Sequence, residues 1–317
     1  MHLLSFNSPA LLALATVLLA GVMDLVLGEP PNVVHPVAWI GKLIGALEQR
    51  RPHGTPALEF LWGVLIVVVT CGTTGAVAWA AQRGVRLLPL WAGLPVGAYL
   101  LKTTFSLRGL VSAGRMVQRA LEADTDAARE ELKALVSRSR NLEPPQIVSA
   151  TVESLAENLT DSVLAPLLAF ACFGLPGAAV YRAINTMDAM IGYRGEYEYV
   201  GKAAARVDDV VNWIPARLAG VVFCLVAVIK GGVGRAVVTL WRDRGAVESP
   251  NAAWTMAPMA GALRVQVEKI NHYRLGLPER PLTPAVISEA IVLTWTAGWA
   301  YVALSGAAAA WIAVLIR

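Results

Sequence analysis

The chain has 317 residues, of which 56% are hydrophobic and 16% charged, and its 27 Lys and Arg exceed its 23 Asp and Glu by four. Soluble domains carry about 25% charged residues, so much of this surface must contact something other than water. The small positive excess gives no support to a nucleic-acid-binding face, which needs clustered basic residues. Three cysteines, each inside an apolar run and none in a CxxC motif, give no support to structural zinc or a disulfide framework. The remaining class is a polytopic membrane protein.

Six apolar runs are candidates for membrane-embedded helices. A span needs about 20 apolar residues to cross about 30 Å of hydrocarbon, and we predict spanning helices over 3–23, 60–81, 87–101 and 290–316. The first run could instead be a signal peptide, but only His2 precedes it where a basic segment is expected. The other two runs are 162–181, interrupted by FGLPG, and 218–229, which has only twelve residues. Each of these two is predicted either to span the membrane or to enter it and return.

Basic residues set the expected orientation. The loop 102–161 carries eight Lys or Arg and the loop 28–58 carries three, whereas 82–86 carries two. Cytoplasmic loops are enriched in Lys and Arg, so both long loops are predicted to face the cytoplasm and the N-terminus to lie outside. If 162–181 and 218–229 are re-entrant, 182–217 and 230–289 are cytoplasmic as well. The expected location is the inner or plasma membrane, with the active site facing the cytoplasm.

The polar stretch 108–158 has helical periodicity with two interruptions. Asp124-Thr125-Asp126 is predicted to be a helix break followed by an N-cap, and Pro144-Pro145 to open the next helix. No β-type alternation of useful length and no internal repeat is found. We therefore predict an all-α polytopic integral membrane protein with about four to six membrane-embedded helices and cytoplasmic helical loops. The expected organisation is a single membrane-embedded domain, 1–317, with a polar helical insertion at about 102–161.

Glu153, Glu157 and Asp161 are spaced four residues apart where the chain re-enters apolar sequence. On a helix they would share one face, and like charges at this spacing cost about 0.2–0.5 kcal/mol per pair in water. A cation is therefore expected against them. Mg²⁺ fits, because it prefers oxygen ligands and commonly bridges carboxylates to phosphates. The alternatives are a salt bridge to Arg138 or Arg140, or an N-cap role near Asp161.

Two further groups combine carboxylates, arginines and amides near apolar sequence. Arginine binds phosphate through paired hydrogen bonds, so such groups can bind metal and phosphate together. A surface salt-bridge network would have the same composition, although an apolar run directly after the second group places it at the membrane boundary. The first group is Arg182, Asn185, Thr186 and Asp188, and the second is Arg206, Asp208, Asp209, Asn212 and Arg217.

The first and last loops hold isolated polar residues. His35 before Pro36 is typical of a structural histidine, whereas Asp24, at the end of a spanning run, is expected to face a polar cavity. The Ser249-Pro250-Asn251 segment is typical of a turn and helix N-cap. The chain contains no GxxxxGK[ST], GxGxxG, HExxH or GxSxG motif, so P-loop ATPases, Rossmann enzymes, zincins and serine hydrolases lose their usual sequence support.

Five segments occur in an order that resembles a known family, the adenosylcobinamide-phosphate synthases of cobalamin biosynthesis (CobD/CbiB). The resemblance runs from about residue 24 to 275, and its central segments are the most specific. The segments are DLVLGEPPNVVHPVAWIGKLI (24–44), ESLAENLTDSVLAPL (153–167), YRAINTMDAMIGYRGEYEYVG (181–201), AARVDDVVNWIPARL (204–218) and SPNAAW (249–254).

The resemblance implies an integral membrane ligase that joins the free propionate of adenosylcobyric acid to (R)-1-amino-2-propanol O-2-phosphate or a related amino alcohol. It implies ATP as co-substrate, Mg²⁺ as cofactor and a corrinoid as substrate. A carboxylate accepts an amine only after activation, which phosphorylation supplies, and metal and arginine must offset the phosphate charge. Besides these substrates and the lipid bilayer, the expected partners are other cobamide-pathway membrane enzymes or a second copy of the chain.

For that chemistry we assign roles from the residues themselves. Asp188 or His35 is expected to accept the amine proton, and Asn158 and Asn185 to orient carboxylate or amide groups. The candidate metal ligands, divided between two subsites, are Glu153, Glu157, Asp161, Asp208 and Asp209. The candidate substrate- and phosphate-binding residues are Arg182, Arg206, Arg217, Asn212 and Asn251.

Some positions depart from the family pattern. Glu29 and Ser139 stand where aspartate is usual, Val247-Glu248 replaces a histidine before SPN, and 267–269 replaces a glycine-rich turn. The altered residues near 264–269 favour an alternative function, a non-catalytic scaffold that holds corrinoid intermediates for partner enzymes, whereas the retained carboxylates favour catalysis. A relative that uses another amino alcohol or corrinoid carboxylate also fits. A transporter would be expected to show inverted repeats, and none is found.

Overall fold

In this computed structural model the described residues are 8–52, 54–136 and 141–315. Over these ranges the chain is almost entirely helical, which confirms the predicted all-α class. The helices are α1 Pro9–Leu27, α2 Pro36–Glu48, α3 Pro56–Leu87, α4 Leu90–Lys102, α5 Leu107–Ala123, α6 Thr125–Leu132, α7 Pro144–Leu159, α8 Ala165–Ile191, α9 Lys202–Val211, α10 Trp213–Val226, α11 Val233–Asp243, α12 Ala253–Leu263 and α13 Pro284–Leu315. A π-helical turn, Thr160–Leu164, joins α7 to α8, and a 3₁₀ turn, Ala227–Lys230, follows α10.

Five helical stretches of the described chain are long and apolar enough to cross a membrane, so the chain is a multi-pass membrane protein. They are Pro9–Leu27, Pro56–Leu87, Pro144–Ile191, Trp213–Lys230 and Pro284–Leu315. The predicted spans 3–23, 60–81 and 290–316 correspond to three of these stretches over their described residues. Large apolar side chains remain exposed along α3, as expected for a surface that contacts lipid.

The spanning helix predicted over 87–101 was wrong. This run forms α4, whose 13 residues extend about 20 Å at 1.5 Å per residue, too short for the hydrocarbon core. The helical stretch that contains 218–229 is longer than this apolar run, because it begins at Trp213 and continues through Lys230. Arg217 lies inside this span near its start, where long basic side chains are tolerated.

The turn predicted within 173–177 is a break inside α8. Gly174 has φ 69° and ψ −158°, a conformation that only glycine adopts readily. The backbone N–H of Leu175 donates to the Gln82 side chain of α3 at 2.8 Å, so a neighbouring helix satisfies the donor that the break leaves outside the helical pattern. An added Cβ at Gly174 would lie 2.3 Å from Gln82 Oε1. The break therefore depends on glycine at this position.

The predicted helix boundaries in the polar stretch are confirmed. Asp124 accepts a hydrogen bond from the N–H of Ala127 at 2.8 Å, and α7 begins at Pro144 with Glu143 as its N-cap. The sequence did not predict a short antiparallel hairpin formed by β1 (Gln266–Lys269) and β2 (Tyr273–Gly276). Four-residue strands are too short to produce a detectable alternation.

The chain divides into two compact units. The first unit contains residues up to Ser106, Ala165–Val211 and the residues from Val302, and the second contains Leu107–Leu164 and Asn212–Tyr301. The predicted polar insertion at about 102–161 is helical where described, and from Leu107 onward it belongs to the second unit. The single-domain organisation stays a prediction.

Candidate functional site

In the first unit, packing of α8 against α9 positions several predicted residues. Ile184, Met187 and Ile191 of α8 share a core with Ala204 of α9, and Val207 packs against it. These apolar side chains form the contact between α8 and α9. The polar residues that alternate with them in the sequence therefore lie at the edge of that contact.

Asp188 and Asp209 are close enough for their charges to repel. Arg206, on the same helix as Asp209, lies 3.9 Å from it between Nη1 and Oδ2. Partial burial raises the pKa of Asp209 above its ordinary value, and the charge of Arg206 opposes that rise. An added Cβ at Gly192 would lie 2.2 Å from Asp188 Oδ1, so glycine there keeps space for this carboxylate. The two half-buried carboxylates suit a divalent cation, and the arginine beside them suits a phosphate.

Arg182 lies six residues before Asp188 on α8. Its Nη1 donates to Asn185 Oδ1 at 3.3 Å, which confirms that these two predicted residues share a helix face. Arg182 also lines a mainly apolar cavity of about 320 Å³ formed by residues of α2, α3, α4 and α8. Asp208 is half-buried next to Asp209.

A second polar group in the first unit surrounds Glu29. His35 Nε2 lies 2.7 Å from Glu29 Oε2, and Lys102 Nζ lies 3.1 Å from Glu29 Oε1 and 4.0 Å from Asp24 Oδ1. His35 Nδ1 accepts the N–H of Val37 at 3.1 Å and caps α2. Both ring nitrogens of His35 are therefore engaged within the protein. This geometry supports the structural interpretation of His35 over a role as proton acceptor.

These contacts change the acidity of Glu29. Burial alone would raise its pKa, but hydrogen bonds from His35, Ser106 and Lys102, together with the charge of Lys102, outweigh burial and lower the pKa from 4.5 to about 2. Lys102 is completely buried and Asp24 is 3% exposed. The expected polar environment of Asp24 is thus a buried cluster of charges.

Acid is expected to destabilise the protein through Glu29. Because the pKa is lower in the folded state, ionised Glu29 stabilises the fold above pH 4.5, and this contribution is lost as the pH falls through 4.5 towards about 2. We expect the unfolding temperature of the wild type to fall more steeply over this range than that of Glu29→Gln. Thermal unfolding of both proteins in the same detergent measures this, and parallel curves would contradict it.

In the second unit, Glu153 connects α7 to the hairpin. Its Oε1 accepts from Ser149 Oγ at 2.8 Å and its Oε2 from the Tyr273 hydroxyl at 2.5 Å. The Ser149 hydroxyl in turn accepts the N–H of Glu268 at 2.7 Å. Glu153 is 2% exposed. These contacts join Glu153 to the hairpin, and its predicted role as a metal ligand stays a prediction.

Tyr273→Phe is expected to destabilise the second unit by about 1–3 kcal/mol, because the buried Glu153 carboxyl loses a donor while the ring volume is kept. Chemical unfolding of purified protein measures the difference. Tyr199→Phe, at an exposed tyrosine, is the control. A Tyr273→Phe protein as stable as this control would show that the hydrogen bond contributes nothing to the fold.

The three carboxylates predicted to share one face lie in different environments. Glu153 is buried, Glu157 is exposed, and Asn158 and Asp161 are half-buried. The π turn begins at Thr160, so the α-helical spacing that would align Asp161 ends before that residue. Arg138 and Arg140, the alternative partners of this run, and Ser139 lie outside the described residues.

Arg217 and Asn251, both predicted substrate ligands, are in contact in the second unit. Arg217 Nη1 donates to Asn251 Oδ1 at 2.6 Å, and the guanidinium lies 4.4 Å and 4.9 Å from the ring centroids of Trp213 and Trp254. Stacking between indoles holds a guanidinium in a fixed orientation. The SPN segment is the predicted turn, since Ser249 Oγ accepts from the N–H groups of residues 251 and 252. Asn212 is buried immediately before α10.

The candidates are divided between the two units of the chain. No group of three or more His, Cys, Asp or Glu that could hold a metal ion occurs in 8–52, 54–136 and 141–315. Mg²⁺, however, is usually held by one or two carboxylates plus substrate phosphates. The first unit holds His35, Arg182, Asn185, Asp188, Arg206, Asp208 and Asp209, and the second holds Glu153, Glu157, Asn158, Asp161, Asn212, Arg217 and Asn251.

Comparison with known proteins gives the family. The family described as "CobD/Cbib protein" matches residues 17–312. The chain belongs to the CobD/CbiB family. It is 44% identical over 292 residues to "Cobalamin biosynthesis protein CobD" of Dehalococcoides mccartyi, covering 91% of this chain and 94% of the relative. It is 37% identical over 309 residues to "Cobalamin biosynthesis protein CbiB" of Salmonella arizonae, covering 93% and 97%. No solved structure matches.

Two features of this CobD/CbiB chain were missed in the sequence. The first is Lys102, which directly follows fifteen uncharged residues, a position at which a lysine indicates a buried cation with an acidic partner. Tyr273 gave no signal, because its partner Glu153 is 120 residues away in the chain. The hydrogen bond from Tyr273 to Glu153 joins the altered segment 246–275 to α7 within the second unit.

Proposed function

We propose that this CobD/CbiB protein is an adenosylcobinamide-phosphate synthase. It joins the propionate of adenosylcobyric acid to the amine of (R)-1-amino-2-propanol O-2-phosphate, or a related amino alcohol, with hydrolysis of ATP. The observation that carries the proposal, beyond family membership, is the pairing of Asp188 with Asp209 beside Arg206 in the first unit. The reaction brings phosphate groups, a divalent cation and a reacting amine together, and this group has the residue types that each requires.

The proposed reaction has two steps. A propionate oxygen attacks the γ-phosphorus of ATP, which forms an acyl phosphate and releases ADP. The amine then attacks the acyl carbon, the C–N bond forms, phosphate leaves and the amine gives up a proton. We assign that proton to Asp188, because both ring nitrogens of His35 are engaged. Arg182 and Arg206 bind phosphate oxygens, since guanidinium offers paired donors to them.

Mg²⁺ fits the donor set of the first unit, because Asp208 and Asp209 are adjacent half-buried carboxylates and a cation at Asp209 would offset its repulsion with Asp188. Asp208 and Asp209 are the residues proposed to hold it. When bound, Mg²⁺ would offset the negative charge of the phosphates. We further propose that the protein lies in the cell membrane with this group on the cytoplasmic side, where ATP is present.

The test is an assay of the purified protein with adenosylcobyric acid, aminopropanol phosphate, ATP and Mg²⁺. Mass spectrometry should detect the amide and one ADP per amide, and omission of any component should abolish both products. A protein that binds corrinoid but yields neither product, under conditions in which a CobD/CbiB relative is active, would refute the ligase and favour the scaffold.

A further inference from the structure

The second unit contains a cationic cavity that the proposed reaction does not use. It has a volume of about 200 Å³ and is lined by residues of α11, α12 and the segment after β2. Three arginines, Arg235, Arg242 and Arg264, face it with a single carboxylate, Glu279. The charged side chains lining the cavity therefore sum to +2, three positive against one negative.

The ion pairs around the cavity leave a positive excess. Glu279 Oε2 is shared by two arginines, at 3.5 Å from Arg235 Nε and 3.0 Å from Arg264 Nε. Arg242 is paired with Asp243 through its Nε and Nη2 at 2.5 and 2.6 Å. Even with Asp243 counted, three arginines face two carboxylates. Side-chain exposures of 47%, 41% and 54% for Arg235, Arg242 and Arg264 leave the guanidinium groups accessible.

The backbone at Arg264 gives a second, independent observation. Arg264 ends α12 with φ 61° and ψ 35°, in the left-handed region. Glycine is the usual residue at a left-handed helix end, because other residues are strained there. Strained positions of this kind concentrate at binding and catalytic sites. An arginine at this position indicates that its side chain serves a purpose other than ending the helix.

We propose that this cavity binds a phosphate group, as a soluble phosphate ester or as the headgroup of an anionic phospholipid. Guanidinium groups bind phosphate oxygens through paired, charge-assisted hydrogen bonds. A phosphate group would offset the positive excess of the lining, and Arg235 and Arg264, which share one carboxylate oxygen, would gain a second anionic partner. The inference does not depend on the ligase reaction, because none of its residues belongs to the groups assigned to that reaction.

The test uses the full protein in neutral detergent and two probes, inorganic pyrophosphate and mixed micelles containing phosphatidylglycerol. Binding is measured by calorimetric titration, and the unfolding temperature is recorded for each variant. R264G should fold normally, with an unchanged or higher unfolding temperature because glycine relieves the strain. It should bind at least one probe about tenfold more weakly than the wild type, the effect of losing one charge-assisted contact. The control R274Q removes an exposed arginine of β2 outside the cavity.

If R264G weakens the binding of pyrophosphate but not of phosphatidylglycerol, the ligand is a soluble phosphate ester. If R264G weakens the binding of phosphatidylglycerol but not of pyrophosphate, the ligand is a lipid headgroup. R235Q should reproduce whichever loss occurs. The proposal is overturned if R264G binds both probes as tightly as the wild type. It is also overturned if R274Q weakens binding as much as R264G, since attraction would then be general.

Discussion

Asp209→Asn is expected to lower kcat/KM for amide formation about 100-fold, the usual scale for losing one group that stabilises transition-state charge. Asparagine keeps the volume and one oxygen but removes the charge that would bind Mg²⁺ and accompany Arg206. Because Mg²⁺ binding is the step affected, higher Mg²⁺ should restore part of the rate. Steady-state assays over a range of Mg²⁺ concentrations measure both effects.

The matched control is Glu198→Gln, which neutralises an exposed carboxylate of the same unit and should leave the rate unchanged. Asp188→Asn should also lose activity, but without recovery at high Mg²⁺, because the proton acceptor is removed and not the metal ligand. Wild-type activity in Asp209→Asn, with the fold intact, would show that the carboxylates of α8 and α9 are not the site.

Lys102→Met is expected to destabilise the first unit by about 3–5 kcal/mol, the usual effect of removing one partner from a buried ion pair. Methionine keeps most of the side-chain volume, so the loss is electrostatic. The variant leaves Glu29 and the buried Asp24 without the cation that lies 3.1 Å and 4.0 Å from them. Thermal unfolding in detergent, followed by size-exclusion chromatography, measures the loss.

The pH dependence separates this cause from a packing defect. Protonation of Glu29 removes a charge that Lys102 offsets, so the stability difference between wild type and Lys102→Met should shrink as the pH falls from 4.5 towards the folded-state pKa of Glu29, about 2. A packing defect would give the same difference at every pH. Lys42→Met, at an exposed lysine of α2, should cause no loss.

Local signals predicted much of this fold. The Asp124 cap, the helix start at Pro144 and the break at Gly174 each depend on residues within a few positions, and the sequence predicted all three. The length of α4 could not be predicted, because apolar composition continues across Pro89 while the helix begins only after it. Hydropathy shows which segments can contact lipid, whereas the first and last residues of a helix also depend on backbone geometry.

The candidate site was predictable by residue type and less so by role. Acidic and basic residues in the central segments were identified, and Arg182 with Asn185 and Arg217 with Asn251 are in contact. The role of Glu153 could not be predicted, because it depends on a tyrosine from a distant hairpin. Contacts across 120 residues leave no trace in periodicity or spacing.

The pairing of Glu29 with Lys102 has a consequence for biogenesis. The two residues are far apart in the chain, so Asp24 and Glu29 leave the ribosome well before their cation. Until α4 has been translated, the end of α1 carries acidic side chains at the edge of the bilayer, where ionised groups are unfavourable without a partner. Stable insertion of α1 should therefore wait for synthesis to reach residue 102, which makes the N-terminal helices a single unit of membrane integration.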